Sequence, residues 1–339
     1  MSVLFSNKTM ERDPKFIKGV ERLIDPIEVG SMHFLHGLNK LLPLSLQNFL
    51  SKKSSEKIPY MGFVVEPYSS FLFYKVTDAE KATSLLPEGF KLIKTHIFEN
   101  DTPDYYAVIG SVRAHTSAFW GSRVEFYLIA ENTSTGLLSW VILDYDSNTI
   151  GQDKKYGLRG PSATGSVITI DHRGSVYVDV NNKHRGRRIA YSFNTTEGQM
   201  RPLDQRLWLE GNLSVGYGRE LNGTAEDIFS LKFEPCEMEK ALDIKLDEVN
   251  IEQNTWYPGL FEINPAIVVC FPYAQHFISD APGHKSDIRT REQLEEELES
   301  INVDQIKTFS VKSLRDLVLF QNVVTVALAI ALLLSLIFR

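Results

Sequence analysis

Apolar and polar residues alternate in short runs along most of this chain, and stretches with helical spacing are confined largely to its two ends. From Met61 to about Tyr273, short segments rich in Val, Ile, Tyr and Phe are separated by turn residues such as Arg173-Gly174 and Asn222-Gly223. This pattern predicts strands over 62–66, 71–76, 105–113, 124–130, 138–144, 166–171, 175–180, 188–193, 207–213 and 229–233. One helix interrupts them early, over 78–86, capped by Asp78 and ended by Pro87-Glu88-Gly89. No long βαβ alternation follows, which argues against a parallel sheet. The expected fold is mainly β (α+β): a large antiparallel barrel or strongly bent sheet with a few helices. Closure into a barrel would remove exposed edges.

The ends read differently. Residues 13–53 form an extension in which 14–23 suits a short helix. Within 30–53, Phe34, Leu35, Leu38, Leu41 and Leu42 recur at helical spacing beside Lys40, Lys52 and Lys53. A helix packed over the main domain and an amphipathic segment lying on a bilayer both fit that pattern. Residues 289–306 read as an acidic helix, with Leu294, Leu298 and Ile301 on one face and a capping box formed by Thr290 and Gln293. Residues 317–338, LVLFQNVVTVALAIALLLSLIF, contain no charge, Pro or Gly. They are long enough for a ~30 Å hydrocarbon layer, so a transmembrane helix acting as a tail anchor is expected there. The organisation that follows is a helical extension and linker over 1–57, a β-barrel domain over 58–275, an acidic helix and linker over 276–316, and the anchor over 317–338. Lys307, Lys312 and Arg315 precede the anchor and only Arg339 follows it. That bias favours a single-pass membrane protein with a cytosolic body. Sequons at Asn7, Asn132, Asn194, Asn212 and Asn222 argue for the other side.

Composition narrows the classes of function. With 43% hydrophobic and 23% charged residues over 339 positions, the chain can build a real core and is not a disordered or low-complexity protein. A net charge of −7 argues against nucleic acid as a partner. Cys236 and Cys270 are too few for a disulfide framework or a four-ligand zinc site. The histidines form no HxH or HxxxH pair, so neither a metal nor a cofactor is expected. GxxxxGK[ST], HExxH and GxSxG are absent, which lowers the odds of a nucleotidase, a zincin or an α/β-hydrolase.

Candidate chemistry is densest over 121–160. Arg123 and Glu125 stand two apart in an expected strand and would share a face, as an ion pair or as a catalytic pair. Asp144 closes the apolar run 140–143. Lys154 and Lys155 follow, then Arg159 and the Gly160-Pro161 turn. Farther on, Lys183, Arg185, Arg187 and Arg188 make a basic run that fits either a solvated hairpin tip or a contact with anionic lipid headgroups.

The segments LLPEGF (85–90), SRVEFY (122–127) and LDYDSN (143–148), with a basic pair near a glycine, resemble the acetoacetate-decarboxylase-like barrel superfamily over roughly residues 60 to 240. In the true decarboxylases an Arg-Glu pair and a Gly are followed by an aromatic-Pro-Lys-Lys run. One lysine forms a Schiff base with the substrate ketone, and its cationic neighbour keeps it deprotonated. The resemblance implies that Gly151 matches the glycine, Lys154 is the nucleophile and Lys155 the neighbour. The sequence departs from that pattern. Ser147-Asn148 stand where Arg-Glu is expected, and Gln152-Asp153 replace the aromatic-Pro step. An aspartate beside the lysine favours its protonated form. SRVEFY, LDYDSN, Lys155 and Leu158 also resemble a second, largely uncharacterised bacterial branch, which implies no chemistry.

The function expected from these features is a membrane-anchored β-barrel that binds a small hydrophobic or acidic ligand through Arg123, Glu125, Asp144 and Arg159. The alternative is a decarboxylase-like Schiff-base lyase acting on a keto acid through Lys154 and Lys155. A membrane-tethered scaffold, its barrel filled by side chains, is the second alternative.

Overall fold

The computed structural model describes residues 12–24, 43–47, 49, 60–116, 120–153, 157–225, 228, 230–280 and 311–337, with single positions at 290, 292, 293, 296, 300 and 302. It is mainly β, with antiparallel sheets and few helices.

The scaffold is a twelve-stranded sheet built around three long strands, β4 (Tyr106–Thr116), β5 (Trp120–Asn132) and β6 (Leu137–Ser147). Each is longer than most of its partners, and this shapes the whole sheet. One edge of β4 takes β2 (Ser69–Lys75) at residues 106–111 and β1 (Tyr60–Val65) at 114–116. Likewise one edge of β5 takes β4 at 120–128 and β3 (Phe90–Leu92) at 130–132. From these branch points run β17 (Ile267–Phe271), β15 (Lys240–Asp243) and β12 (Gln199–Pro202) on one side. On the other run β18 (Gln275–Asp280) and β14 (Leu231–Phe233). β13 (Val215–Tyr217) joins β6 in parallel, against the antiparallel rule elsewhere.

This corrects the barrel expected from the sequence. Among the described residues β12 pairs only with β15 and β14 only with β18, so the path has two ends and the sheet does not close. Alternating apolar positions specify strands, but closure depends on register and on which strand serves two partners. The strand expected over 207–213 is also absent. Arg206–Glu210 form a π-helical turn that runs on into one α turn, Gly211–Leu213. Leu207, Trp208 and Leu209 are all buried there, because the turn lies across one face of the large sheet.

A second sheet of four strands covers the other face, in the order β16 (Val249–Asn254), β11 (Arg187–Asn194), β10 (Ser175–Asn182) and β9 (Gly165–Ile170). Val176, Val178, Val180, Ile189, Tyr191 and Phe193 point from it onto Leu72, Ile109, Phe126 and Leu128 of the large sheet. Every other residue of β10 and β11 faces this core, as a half-buried strand requires. Two further strands, β7 (Gly151–Asp153) and β8 (Gly157–Arg159), form a small hairpin.

Helices play a lesser part. α1 (Pro14–Leu23) starts at the Asp13 cap and buries Phe16, Val20 and Leu23 against Leu137, Leu213 and Ile278. α2 (Ala79–Leu85) is capped by Asp78, as the sequence indicates. Thr290 and Gln293 exchange the two hydrogen bonds of a capping box at 3.2 and 3.3 Å. The rest of the expected acidic helix, and most of the amphipathic stretch over 30–53, lie outside the described residues.

The C-terminal helix α3 spans Val311–Ile337. The transmembrane anchor expected over 317–338 is nevertheless overturned: among the described residues no helix is long and apolar enough to cross a membrane. The described side chains of α3 cover 319–335, which at ~1.5 Å per residue make ~25 Å of helix against a hydrocarbon layer of ~30 Å. Single-pass membrane placement, and with it the assignment of the body to one side of a bilayer, loses its basis.

Candidate functional site

Two polar clusters interrupt the apolar faces of the large sheet, and they lie on opposite sides of it. Residues two apart on a strand share a face. β6 therefore presents Asp144 and Asp146 to the four-stranded sheet and Tyr145 to the opposite side.

The first cluster sits where the β10–β11 hairpin closes over β6. Arg187 stands in the inward row of β11 with Ile189, Tyr191 and Phe193. Its guanidinium forms ion pairs with Asp144 and, at 2.8 Å, with Asp146. Asn182 donates to Asp146 at 2.6 Å. Arg185, half exposed in the hairpin turn, adds bonds of 2.8 and 2.7 Å to both oxygens of Asp144. Burial would lower the Arg185 guanidinium, but Asp144 and then Asp146 outweigh it and hold it above its ordinary range. Two buried carboxylates are thus matched by two guanidiniums, the condition under which buried charge is tolerated.

Arg187 also lies 4.1 Å from the centroid of the Trp256 ring. Trp256 is 2% exposed and stacks on Phe126 at 6.1 Å. Next to it, Tyr257 has a φ of +40°, an unusual conformation for a residue with a side chain. Its ring lies on Phe126 at 4.5 Å, and its hydroxyl donates to Glu220 at 2.7 Å. Burial, followed by that hydrogen bond, pushes the hydroxyl far above the usual phenol range and keeps it a donor. The Nε of Arg187 and the Nε1 of Trp256 are buried, and neither has a hydrogen-bond partner among the described residues. A cleft of about 390 Å3 on the hairpin is lined by Asp179, Asn181, Asn182, Lys183, Gly186, Arg187 and Arg188, and Trp256 is not part of its lining. Arg188 is engaged there with Asp179 at 2.7 Å and Glu252 at 3.2 Å. Lys183 is exposed, and its backbone N–H donates to Thr164 at 3.2 Å.

The second cluster lies on the far face of the sheet. Arg123 and Glu125 form an ion pair, with side chains 18% and 14% exposed, so the expected common face is present. Tyr127, two residues farther along β5, donates to Glu125. The Arg123 guanidinium lies 4.0 Å from the centroid of the Tyr145 ring. Burial would lower it, but Glu125, then Tyr145 and Tyr217, hold it above its ordinary range. Gly110 stands directly across from Glu125 on β4. A Cβ at Gly110 would come within 2.9 Å of the Phe71 ring and 3.1 Å of the Tyr127 ring, so the lack of a side chain leaves the room those rings occupy.

The four residues expected to bind a ligand therefore do not form one site. Arg123 and Glu125 share the far face, Asp144 belongs to the inter-sheet cluster, and the side chain of Arg159 at the end of β8 lies outside the described residues. Lys154 and Lys155 lie outside them too, between the paired ends Asp153 and Gly157 of the small hairpin. In the basic run 183–188, Arg185, Arg187 and Arg188 are each engaged with carboxylates of the chain itself. The sequence marks Arg187 only as part of a basic run that could touch anionic lipid headgroups, and it does not mark Trp256 as a ligand contact. The alternation of Arg187 with Ile189, Tyr191 and Phe193 carries the signal that turns Arg187 inward. Nothing local marks Trp256.

No protein-family model matches the chain, and no curated protein matches it. The chain is similar to the crystal structure of acetoacetate decarboxylase (ADC) from Legionella pneumophila subsp. pneumophila str. Philadelphia 1, at 12% identity and a TM-score of 0.38. The similarity covers 66% of this chain and 83% of that one. That neighbour carries the name of the family whose motifs the sequence resembles. At this identity and TM-score it assigns no residue a role.

Proposed function

We propose that the protein binds a small acidic ligand, without chemistry of its own, where Arg187 and Trp256 meet beneath the β10–β11 hairpin. One observation supports this reading above the others: two buried N–H groups side by side, Arg187 Nε and Trp256 Nε1, lack acceptors among the described residues. Both groups can only donate. A buried donor left unpaired costs ~1–3 kcal/mol, so an acceptor gains twice over at this place. A carboxylate or a keto oxygen fits, and a charged acceptor makes the stronger bond to a guanidinium. Asp144 and Asp146 already balance Arg185 and Arg187, so the two unpaired donors rather than a spare cation would hold the ligand.

Titration calorimetry of the full chain against small carboxylates and keto acids, with the matching amides as neutral controls, tests the reading. Saturable binding of the acids is expected. Trp256→Phe, which keeps a ring and removes the N–H, should weaken binding about tenfold, the equivalent of ~1.4 kcal/mol. Amides that bind as well as acids, or a Trp256→Phe protein with unchanged affinity, would refute it.

A further inference from the structure

Independently of the inter-sheet site, we infer that the far face of the large sheet carries a second binding site, built on Arg123, for a carboxylate attached to a flat apolar body. Its surroundings are made for the planar end of a guanidinium. Glu125 is the one group among the described residues paired with Arg123. The remaining edge of the fork keeps parallel N–H groups of the spacing that carboxylate oxygens match. Arginine offers five such donors and cannot lose its charge, so an edge without acceptors at 18% side-chain exposure favours an anion.

The walls say what the anion is attached to. Tyr145 lies flat beneath the guanidinium at 4.0 Å. Tyr127 is fixed twice, by its bond to Glu125 and by an edge-on contact with Trp140 at 5.3 Å. Tyr217, on the strand paired with β6, reaches the same charge. Phe71 and Tyr127 close over Gly110, so their rings form the floor. A compact inorganic anion would leave these rings unused, whereas an aromatic acid would place its ring among them and its carboxylate on the fork. The set is also reachable: Tyr145 and Tyr217 are partly exposed.

Glu125 has a defined part in this site. It neutralises Arg123 and orients it, and it receives the Tyr127 hydroxyl. A ligand that bound in place of Glu125 would leave that carboxylate buried and unpaired, so binding uses the free edge and leaves the pair intact.

Benzoate is the probe, with benzamide as the neutral control, and the protein is the full chain. Saturation-transfer NMR on the unaltered protein should show the benzoate ring receiving magnetisation, with no transfer to benzamide. Arg123→Lys keeps the charge and loses the fork, and is expected to weaken benzoate binding at least tenfold. Tyr145→Leu, which removes the ring and leaves the ion pair, should weaken it severalfold and serves should Arg123→Lys fail to fold. The inference is overturned if benzoate does not bind. Equal binding of benzamide overturns it, and so does full affinity in both Arg123→Lys and Tyr145→Leu.

Discussion

Arg187 on β11 and Asp144 on β6 form an ion pair that spans the two sheets, with side chains 13% and 7% exposed. Between Val176, Ile189, Phe126 and Leu128 the sheets touch through apolar side chains that carry no directional preference. The pair is directional. It sets where the hairpin of the smaller sheet comes down on the larger one, and it places the Arg187 guanidinium against Trp256.

Removing one partner should be costly out of proportion to a surface ion pair. Asp144→Ala leaves Arg187 with Asp146 alone and deprives Arg185 of both its bonds. A loss of ~3–5 kcal/mol is expected, as for an uncompensated buried charge. Arg185→Ala removes a half-exposed partner from the same carboxylate and should cost ~0–1 kcal/mol. Urea denaturation midpoints of the two variants give the comparison. Equal losses would show that Asp144 is no more buried in solution than a surface carboxylate.

Gly62 on β1 is where α1 comes closest to the sheet. A Cβ there would lie 2.6 Å from the Leu23 Cβ and 2.8 Å from the Val20 carbonyl oxygen, both parts of α1 that cannot swing aside. Gly62→Ala should push α1 off Ile278 and cost ~1–3 kcal/mol, the usual range for overpacking. Limited proteolysis reads it directly, through faster cleavage between residues 12 and 24 with the β core left intact. An unchanged cleavage rate would mean that α1 does not dock as described.

How much of this the sequence discloses depends on the range of the interaction. Asp78 capping α2 and the Thr290–Gln293 box are local, and both are legible. The Arg123–Glu125 pair is legible because strand geometry alone puts residues two apart on one face. The partners of Asp144 are not, since Arg185 and Arg187 lie more than forty positions away and meet it only when the second sheet folds over. The open sheet is hidden for a related reason: β4 and β5 each serve two strands along one edge, and no alternation of residues encodes that. The segment 207–213 misleads because Leu207, Leu209 and Leu213 mimic a strand's period, while its burial on successive residues comes from a π turn.

Cys236 should react slowly with alkylating agents at neutral pH. Burial, followed by Glu234, pushes its thiol up from 9.0 to about 11. The thiolate is the reactive form, so the rate at pH 8 should be far below that of a free thiol and should climb through pH 11. The sign for stability follows. A thiol whose pKa is raised on folding contributes stability that is fully present below the unfolded value near 9. That contribution is lost as pH rises through about 11. Iodoacetamide labelling followed by peptide mass mapping across pH 7–11 measures it. Labelling of Cys236 at pH 8 as fast as glutathione would contradict the burial. Cys270, 0% exposed, should not label at all before unfolding.

Lys154 is expected not to form a Schiff base with a β-keto acid. A lysine in an ordinary environment titrates near ~10.4 and is almost wholly protonated at pH 7, so it is a poor nucleophile. Lowering it by several units takes desolvation or a close cation. Lys155 could supply that cation only with both side chains in one pocket. Asp153 stands next to the lysine in sequence and would favour the ammonium form. It is also the last paired residue of β7, opposite Gly157, so its position is fixed by the hairpin. Borohydride trapping with a β-keto acid, read by intact mass, should therefore leave the chain unmodified while the same acid still binds by calorimetry. A covalent adduct that disappears in Lys154→Ala would reverse this and restore the Schiff-base lyase reading, with the Arg187 and Trp256 cluster no longer needed to explain why the protein binds an acid.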